Sequence, residues 1–329
     1  MTRQRILTIP IIMALLTPLR ADKTELNWTA LQRQVAELLK HGSIAEAEKV
    51  LEAGIEAARQ PNETSEGLAK VLNDLGTLYH DSGRLVDADR AYSESLSIWR
   101  RGAGKNPKVG TTLQNLAGLR LAQGRASDAE KLYIEARELF VSAYGVDSPE
   151  VTNALVGLAE VYCEMGRYEN ARQLGEHVLS ILVATRDNPQ LGAAFFVLAK
   201  TAWKQNRDEE AERLLRRALE TLRVLLGPQH LTVVSGLVSL AVLTSGKNPQ
   251  EADQLFCEAL QSVETQLGPN HALTGSILVL YARHLEQHGR KGEGKRLKRR
   301  GEEILARHSR ENGLGHTLDI QAFQRRNAR

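Results

Sequence analysis

The feature that most constrains this chain is a period of about 41 residues running through nearly all of its 329. A small residue recurs at Ala47, Ala88, Ala129, Ala171, Ala211, Ala252 and Gly294, at spacings of 41, 41, 42, 40, 41 and 42. A second column holds Leu75, Leu116, Leu158, Leu198, Leu240 and Tyr281, each followed by glycine or alanine. A third marks turns at Gly42, Gly83, Gly124, Gly166, Asn206 and Gly289. Three columns in one register signify stacked copies of one supersecondary unit. The two domains of ~150 residues that length alone would suggest therefore give way to an array.

Each unit reads as two helices. Residues 71–83 place Val71, Leu72, Leu75, Leu78 and Tyr79 three and four apart, which is the period of an amphipathic helix. Gly83 then supplies the left-handed conformation that ends it. Leu85, Ala88, Tyr92, Leu96 and Trp99 share one face of the segment that follows. A Cβ larger than alanine would hold crossing backbones apart, which explains the small column. Residues 115–136 and 157–179 repeat the pattern. Composition agrees: 42% of residues are hydrophobic but only 5% aromatic, so alanine and leucine do the packing. No uncharged apolar run reaches the ~20 residues of a membrane span, which excludes a multi-span membrane protein. Two cysteines cannot build a disulfide framework.

Leu followed by Gly or Ala, then Tyr79 or Tyr162, then glycine, Tyr168 and alanine resembles the tetratricopeptide repeat. The standard unit has about 34 residues, and the extra ones here lie between repeats. A long second helix followed by Leu-Gly-x-x-His resembles the kinesin light chain type of this repeat. The resemblance covers about residues 27–310. It implies an all-α fold, a right-handed superhelical solenoid of about seven helix-turn-helix units occupying residues 22–310. It also implies that the first helix of each unit lines a concave groove. The groove-facing positions are then Asn73, Thr77, Gln114, Asn115, Asn153, Glu160, Phe196, Lys200, Trp203 and Lys204. Asparagine offers a donor and an acceptor to a peptide backbone. Phe196 and Trp203, near Lys200 and Lys204, are expected to form an apolar pocket with a cationic rim. It would suit an extended peptide carrying an apolar residue and an acidic group. The competing reading packs these aromatics between repeats.

The two ends differ from the array. Arg3 and Arg5, the apolar run Ile6–Leu16 and Ala21 lay out residues 1–21 as a secretory signal peptide. Leu19 and Arg20 fit its cleavage region poorly, so an uncleaved anchor and a docked apolar helix stay open. The expected location is secreted or periplasmic, with cytoplasmic as the alternative. Residues 283–329 carry a net charge of +7, which leaves −4 for the rest of a chain of net +3. Residues 294–310 read as a basic amphipathic helix, and 311–329 as a basic tail.

Several patterns imitate chemistry. Gly289 to Lys295 matches a phosphate loop, but Arg296 stands where Ser or Thr should hold magnesium, and no strand precedes it. His284 and His288 are four apart on one helix face, but the glutamate between them is misplaced for a metalloprotease, so they read as a surface pair. His230, His271 and His316 follow the connectors and read as hydrogen-bonding groups at helix starts. Cys163 and Cys257 read as small buried apolar residues. No Ser/His/Asp spacing is evident. The expectation is a non-catalytic protein–protein interaction scaffold with no cofactor and no metal, binding a protein or peptide on its concave face. A structural envelope-complex assembly protein, docking through its convex face or basic C-terminal helix, is the alternative. No small-molecule substrate or nucleic acid is expected, and membrane contact only through the signal segment or the basic tail.

Overall fold

The computed structural model describes residues 28–40, 44–58, 65–102, 106–182 and 189–312. The expected signal peptide, Gly42, His316 and the tail beyond 312 lie outside the described residues. Within them the chain forms seven helical hairpins and no strand. The hairpins pair α1 (Trp28–Lys40) with α2 (Ile44–Ala58), and α3 (Ser65–Asp81) with α4 (Leu85–Arg101). Next come α5 (Pro107–Ala122) with α6 (Ala126–Tyr144), and α7 (Pro149–Glu164) with α8 (Tyr168–Leu182). The last three join α9 (Pro189–Lys204) to α10 (Asp208–Leu226), α11 (Leu231–Thr244) to α12 (Pro249–Leu267), and α13 (Ala272–Gln287) to α14 (Lys291–Asn312). The helix expected over 294–310 thus runs to Asn312.

The small column sits where the two helices of a hairpin cross. Ala47, Ala88, Ala129, Ala171, Ala211 and Ala252 have no exposed surface at all. Their partners Ala117, Ala159, Ala199, Ala241 and Ala282 are equally buried. In the last hairpin, where alanines would be expected, glycines let the backbones come closer still. A Cβ on Gly301 would stand 2.7 Å from the carbonyl oxygen of Gly275, and one on Gly294 2.8 Å from that of Ala282. Four residues after the small column, Tyr133 lies over Gly157 of the next hairpin and Phe256 stacks on Tyr281, ring centroids 5.1 Å apart. At the same register α14 has Lys298, and four residues on it has Glu302 where α10 and α12 have Leu219 and Leu260. Lys298 and Glu302 are both exposed. The last described helix therefore has a polar outer face, as the end of a stack requires.

The hairpin turns share one backbone solution. Gly83, Gly124, Gly166, Asn206 and Gly289 all adopt positive φ, between 63° and 84°. The next residue, an arginine each time, donates its backbone N–H five residues back: Arg84 to Tyr79, Arg125 to Arg120, Arg167 to Tyr162, Arg207 to Ala202, Arg290 to Leu285. That is the bond pattern of a Schellman motif. The sixth hairpin departs from it. In α3, α5, α7, α9 and α13 the helix continues six residues past the second-column residue, but α11 stops at Thr244, four past Leu240. Its turn closes instead with Lys247 and Asn248 both donating to the Thr244 carbonyl.

Helix starts are capped by side chains. Asn106, Ser148 and Asn248 accept N–H bonds from Lys108, Val151 and Glu251, and each precedes a proline at the first helical position. His230 and His271 do the same with Nδ1, accepting from Thr232 and Leu273. This is the role expected of them. Nδ1 must be unprotonated to accept. Burial, with His308 nearby, pushes His271 down to about 4 from its ordinary 6.5. The unfolded chain therefore takes up the proton first. The stabilisation is complete above about pH 6.5 and is lost as pH falls toward 4; it amounts to at most about 3 kcal/mol. Asparagine caps without titrating. Thermal unfolding of His271→Asn should consequently lose less stability between pH 7.5 and pH 5 than the parent. Equal losses would show that the cap does not titrate.

Candidate interaction surface

Odd-numbered helices approach one another along the stack: α3 with α5, α5 with α7, α7 with α9, and α11 with α13. No two even-numbered helices pack as extensively. The odd helices therefore form the inner, shorter path of the curved array, and their side chains define its inner surface.

That surface is crossed by polar links between neighbouring hairpins. Gln32 on α1 donates to Asp74 on α3 at 2.6 Å, and Asn115 on α5 donates to Asn73 on α3 at 3.0 Å. Lys200 on α9 reaches Glu164 at 2.9 Å and Glu160 at 3.3 Å, both on α7. Lys204 lies 3.7 Å from Glu164. Burial raises the Asp74 carboxyl above its ordinary range, with the Gln32 and Asn73 hydrogen bonds opposing the shift.

The ten sequence-predicted groove residues divide accordingly. Thr77 and Asn153 are exposed; Thr77 accepts the Tyr92 hydroxyl at 3.1 Å. Asn73, Gln114, Asn115, Glu160, Phe196 and Lys204 are half-buried, and the two asparagines are turned toward each other. Lys200 and Trp203 are buried, at 5% and 6% exposure. The expected apolar pocket with a cationic rim is thus closed. Trp203 packs against Leu214 and Leu243 from the neighbouring helices, and both rim lysines are held by acids of the preceding hairpin. Phe196 lies beside Gly236 of α11, whose missing side chain makes room for Leu219.

Three further expectations need correction. Cys163 is buried as expected, but Cys257 is exposed. His284 is not on the surface: it is 3% exposed, against Phe256 and Tyr281, while His288 is exposed. The fold also assembles a Ser/His/Asp group that no sequence spacing revealed. Ser245 Oγ lies 2.6 Å from His284 Nδ1, and His284 Nε2 lies 3.5 Å from Asp253. Arg290 holds the other Asp253 oxygen at 2.7 Å. Burial lowers the His284 pKa, with the Asp253 charge opposing the shift. The Ser245 hydroxyl shares one hydrogen bond with Nδ1, and Asp253 lies on the Nε2 side of the ring. The phosphate-loop imitation at 289–295 is a hairpin turn, with Gly294 at the helix crossing. Among the described residues no three His, Cys, Asp or Glu side chains gather as metal ligands.

The turn arginines were also missed in the sequence, although they form a visible column. Arg84 bridges Glu48 of the previous hairpin at 2.6 Å and Asp87 of its own at 2.9 Å, over the Tyr79 ring. Arg167 reaches Glu130, and Arg290 reaches Asp253 and Glu293, in the same manner. Partly exposed pairs of this kind contribute about 1 kcal/mol or less. Their consequence is register between hairpins.

Known proteins resemble the array. Residues 67–140, 108–182 and 150–224 each match the tetratricopeptide repeat family. The Clustered mitochondria protein homolog of Candida albicans is 24% identical over 165 residues, which are 49% of this chain and 12% of that protein. The match thus spans only about an eighth of that relative. Among solved structures, the Rap conjugation gene regulator of plasmid pLS20, in complex with a Phr peptide, superposes with a TM-score of 0.65. It is 16% identical and covers 88% of this chain and 77% of its own. Aspartyl phosphate phosphatase F from Bacillus subtilis gives 0.60 at 11% identity, covering 88% and 72%. These likenesses establish a helical repeat solenoid.

Lys200 is scaffold in this arrangement. Lys200→Met leaves Glu160 without its cation and Glu164 with only the more distant Lys204. It should destabilise the fold by about 2 kcal/mol, less than a fully buried pair because both acids keep some solvent access. An unchanged denaturation midpoint would remove Lys200 from this role.

Proposed function

We propose that this chain, a member of the tetratricopeptide repeat family across residues 67–224, is a non-catalytic protein–protein interaction scaffold. Its partner is a peptide or protein segment held on the odd-helix surface. The observation that carries the reading is that repeat packing accounts for all the described residues. What the array leaves over is an inner face with Thr77 and Asn153 exposed and Gln114 half-buried. Gln114 and Asn153 make no hydrogen bond among the described residues, so their amides are available to a peptide backbone. A solenoid of the same fold has been solved with a peptide bound, which supports the same use here.

Site-specific photo-crosslinking tests the face. A crosslinker at Asn153 or Gln114 should capture co-purified partners, and one at the exposed Val86 or Val224 on even helices should not. The reverse result would favour docking through the convex face. Capture from Lys295 or Arg299 on the basic α14 would favour the envelope-assembly reading. We also propose export, from the layout of residues 1–21. The mature chain should then begin at Asp22 by intact-mass measurement, and an untrimmed Met1 would contradict it.

A further inference from the structure

Among the described hairpin turns, the sixth is the one that breaks register, and it leaves a notch. α11 ends two residues early relative to α9 on one side and α13 on the other. The recess has a volume of about 350 Å³. Its lining is mixed, with apolar contact from Val242, Leu243, Phe256 and Leu280 and the polar Ser245 among them. One wall carries Trp203 and Asp208, the other Arg283, His284 and Gln287. This volume lies at the low end for ligand pockets, enough for one large side chain and its polar neighbour.

Two observations identify the occupant. The half-buried Val242 and Leu243 offer contact to an apolar side chain. Arg283, half-buried on the wall, makes no ion pair or hydrogen bond among the described residues. A partly desolvated guanidinium without an anion is incomplete, and a carboxylate would complete it. The other basic side chains nearby are engaged: Arg290 holds Asp253 and Glu293, and His284 is hydrogen-bonded to Ser245 with Asp253 beside its other nitrogen. Asp208 on the far wall repels an anion, so a carboxylate is directed to the Arg283 side. We propose that the notch is the anchoring pocket for a partner segment that places a large apolar side chain beside an Asp or Glu. This rests on the scaffold reading and gives it a location. The apolar-plus-cation site expected at Phe196, Lys200 and Lys204 is displaced by one hairpin, because there the lysines are already paired.

The experiment uses the full chain and a panel of short fluorescent peptides blocked at both ends, so that no terminal charge contributes. Each peptide carries Leu, Phe or Trp next to Glu, Gln or Lys. The parent protein should bind the apolar–Glu members at least tenfold more tightly than the apolar–Lys members by fluorescence anisotropy. Gly246→Trp fills the notch, and a Cβ there meets nothing within 4 Å, so the variant should fold as the parent does. It should lose tenfold or more in affinity for the Glu peptides. Arg283→Gln should weaken the same peptides, and Arg283→Glu should shift preference toward Lys. If peptides bind but neither Gly246→Trp nor Arg283→Gln weakens them, the notch is not the anchor, while the scaffold reading stands. If no panel member binds the parent, the proposed motif is wrong. Loss of partner crosslinks from Asn153 would separately overturn the reading on which this inference rests.

Discussion

The rest of the structure depends on close backbone approach where the two helices of each hairpin cross. Fully buried alanines or glycines occupy that crossing in every hairpin from Ala47 to Gly294. Interiors pack as densely as organic crystals, so one added methyl is felt. With the crossing fixed, the leucines and aromatics on either side reach the neighbouring hairpin at a set height. Tyr133 over Gly157 and Phe256 against Tyr281 are two expressions of that height. The low aromatic content of the chain follows from the same constraint, because thin crossings leave little volume for large rings.

Register between hairpins is held by a second set of contacts. The turn residue of positive φ is followed by an arginine whose backbone closes the first helix, and the side chains of Arg84, Arg167 and Arg290 reach back to the preceding hairpin. On the opposite, inner side, Gln32, Asn115 and Lys200 link successive odd helices. The exposed links are individually weak, and the buried Lys200 pair is the stronger exception. Repeated along a quasi-one-dimensional stack, in which each unit meets only its neighbours, such links set how one hairpin seats on the next.

The inner face shows why groove residues are harder to read than core residues. Burial at the crossings depends on local periodicity, so the alanine and leucine columns could be assigned from spacing alone. Availability of a polar side chain depends on what stands one repeat away. Asn73 and Asn115 satisfy each other across 42 residues, and Lys200 finds its acids 36 and 40 residues earlier. His284 is buried for a similar reason: Phe256 and Tyr281 cover it, and Ser245 of the shortened turn accommodates its Nδ1. No local pattern distinguishes it from the exposed His288 four residues on.

The sequence by itself determined the number of units, the two-helix reading of each, the turns at Gly83, Gly124, Gly166, Asn206 and Gly289, and the capping roles of His230 and His271. These are properties of contacts within one period, and the period repeats in plain view. Only the tertiary structure decided which inner-face side chains remain open, that Trp203 and Lys200 are packed away, and that Cys257 is exposed. It alone revealed the notch at the sixth turn. The shorter interval from Leu240 to Ala252 is written in the sequence. Its consequence is not, because a two-residue recess becomes a pocket only when full-length helices stand on both sides of it.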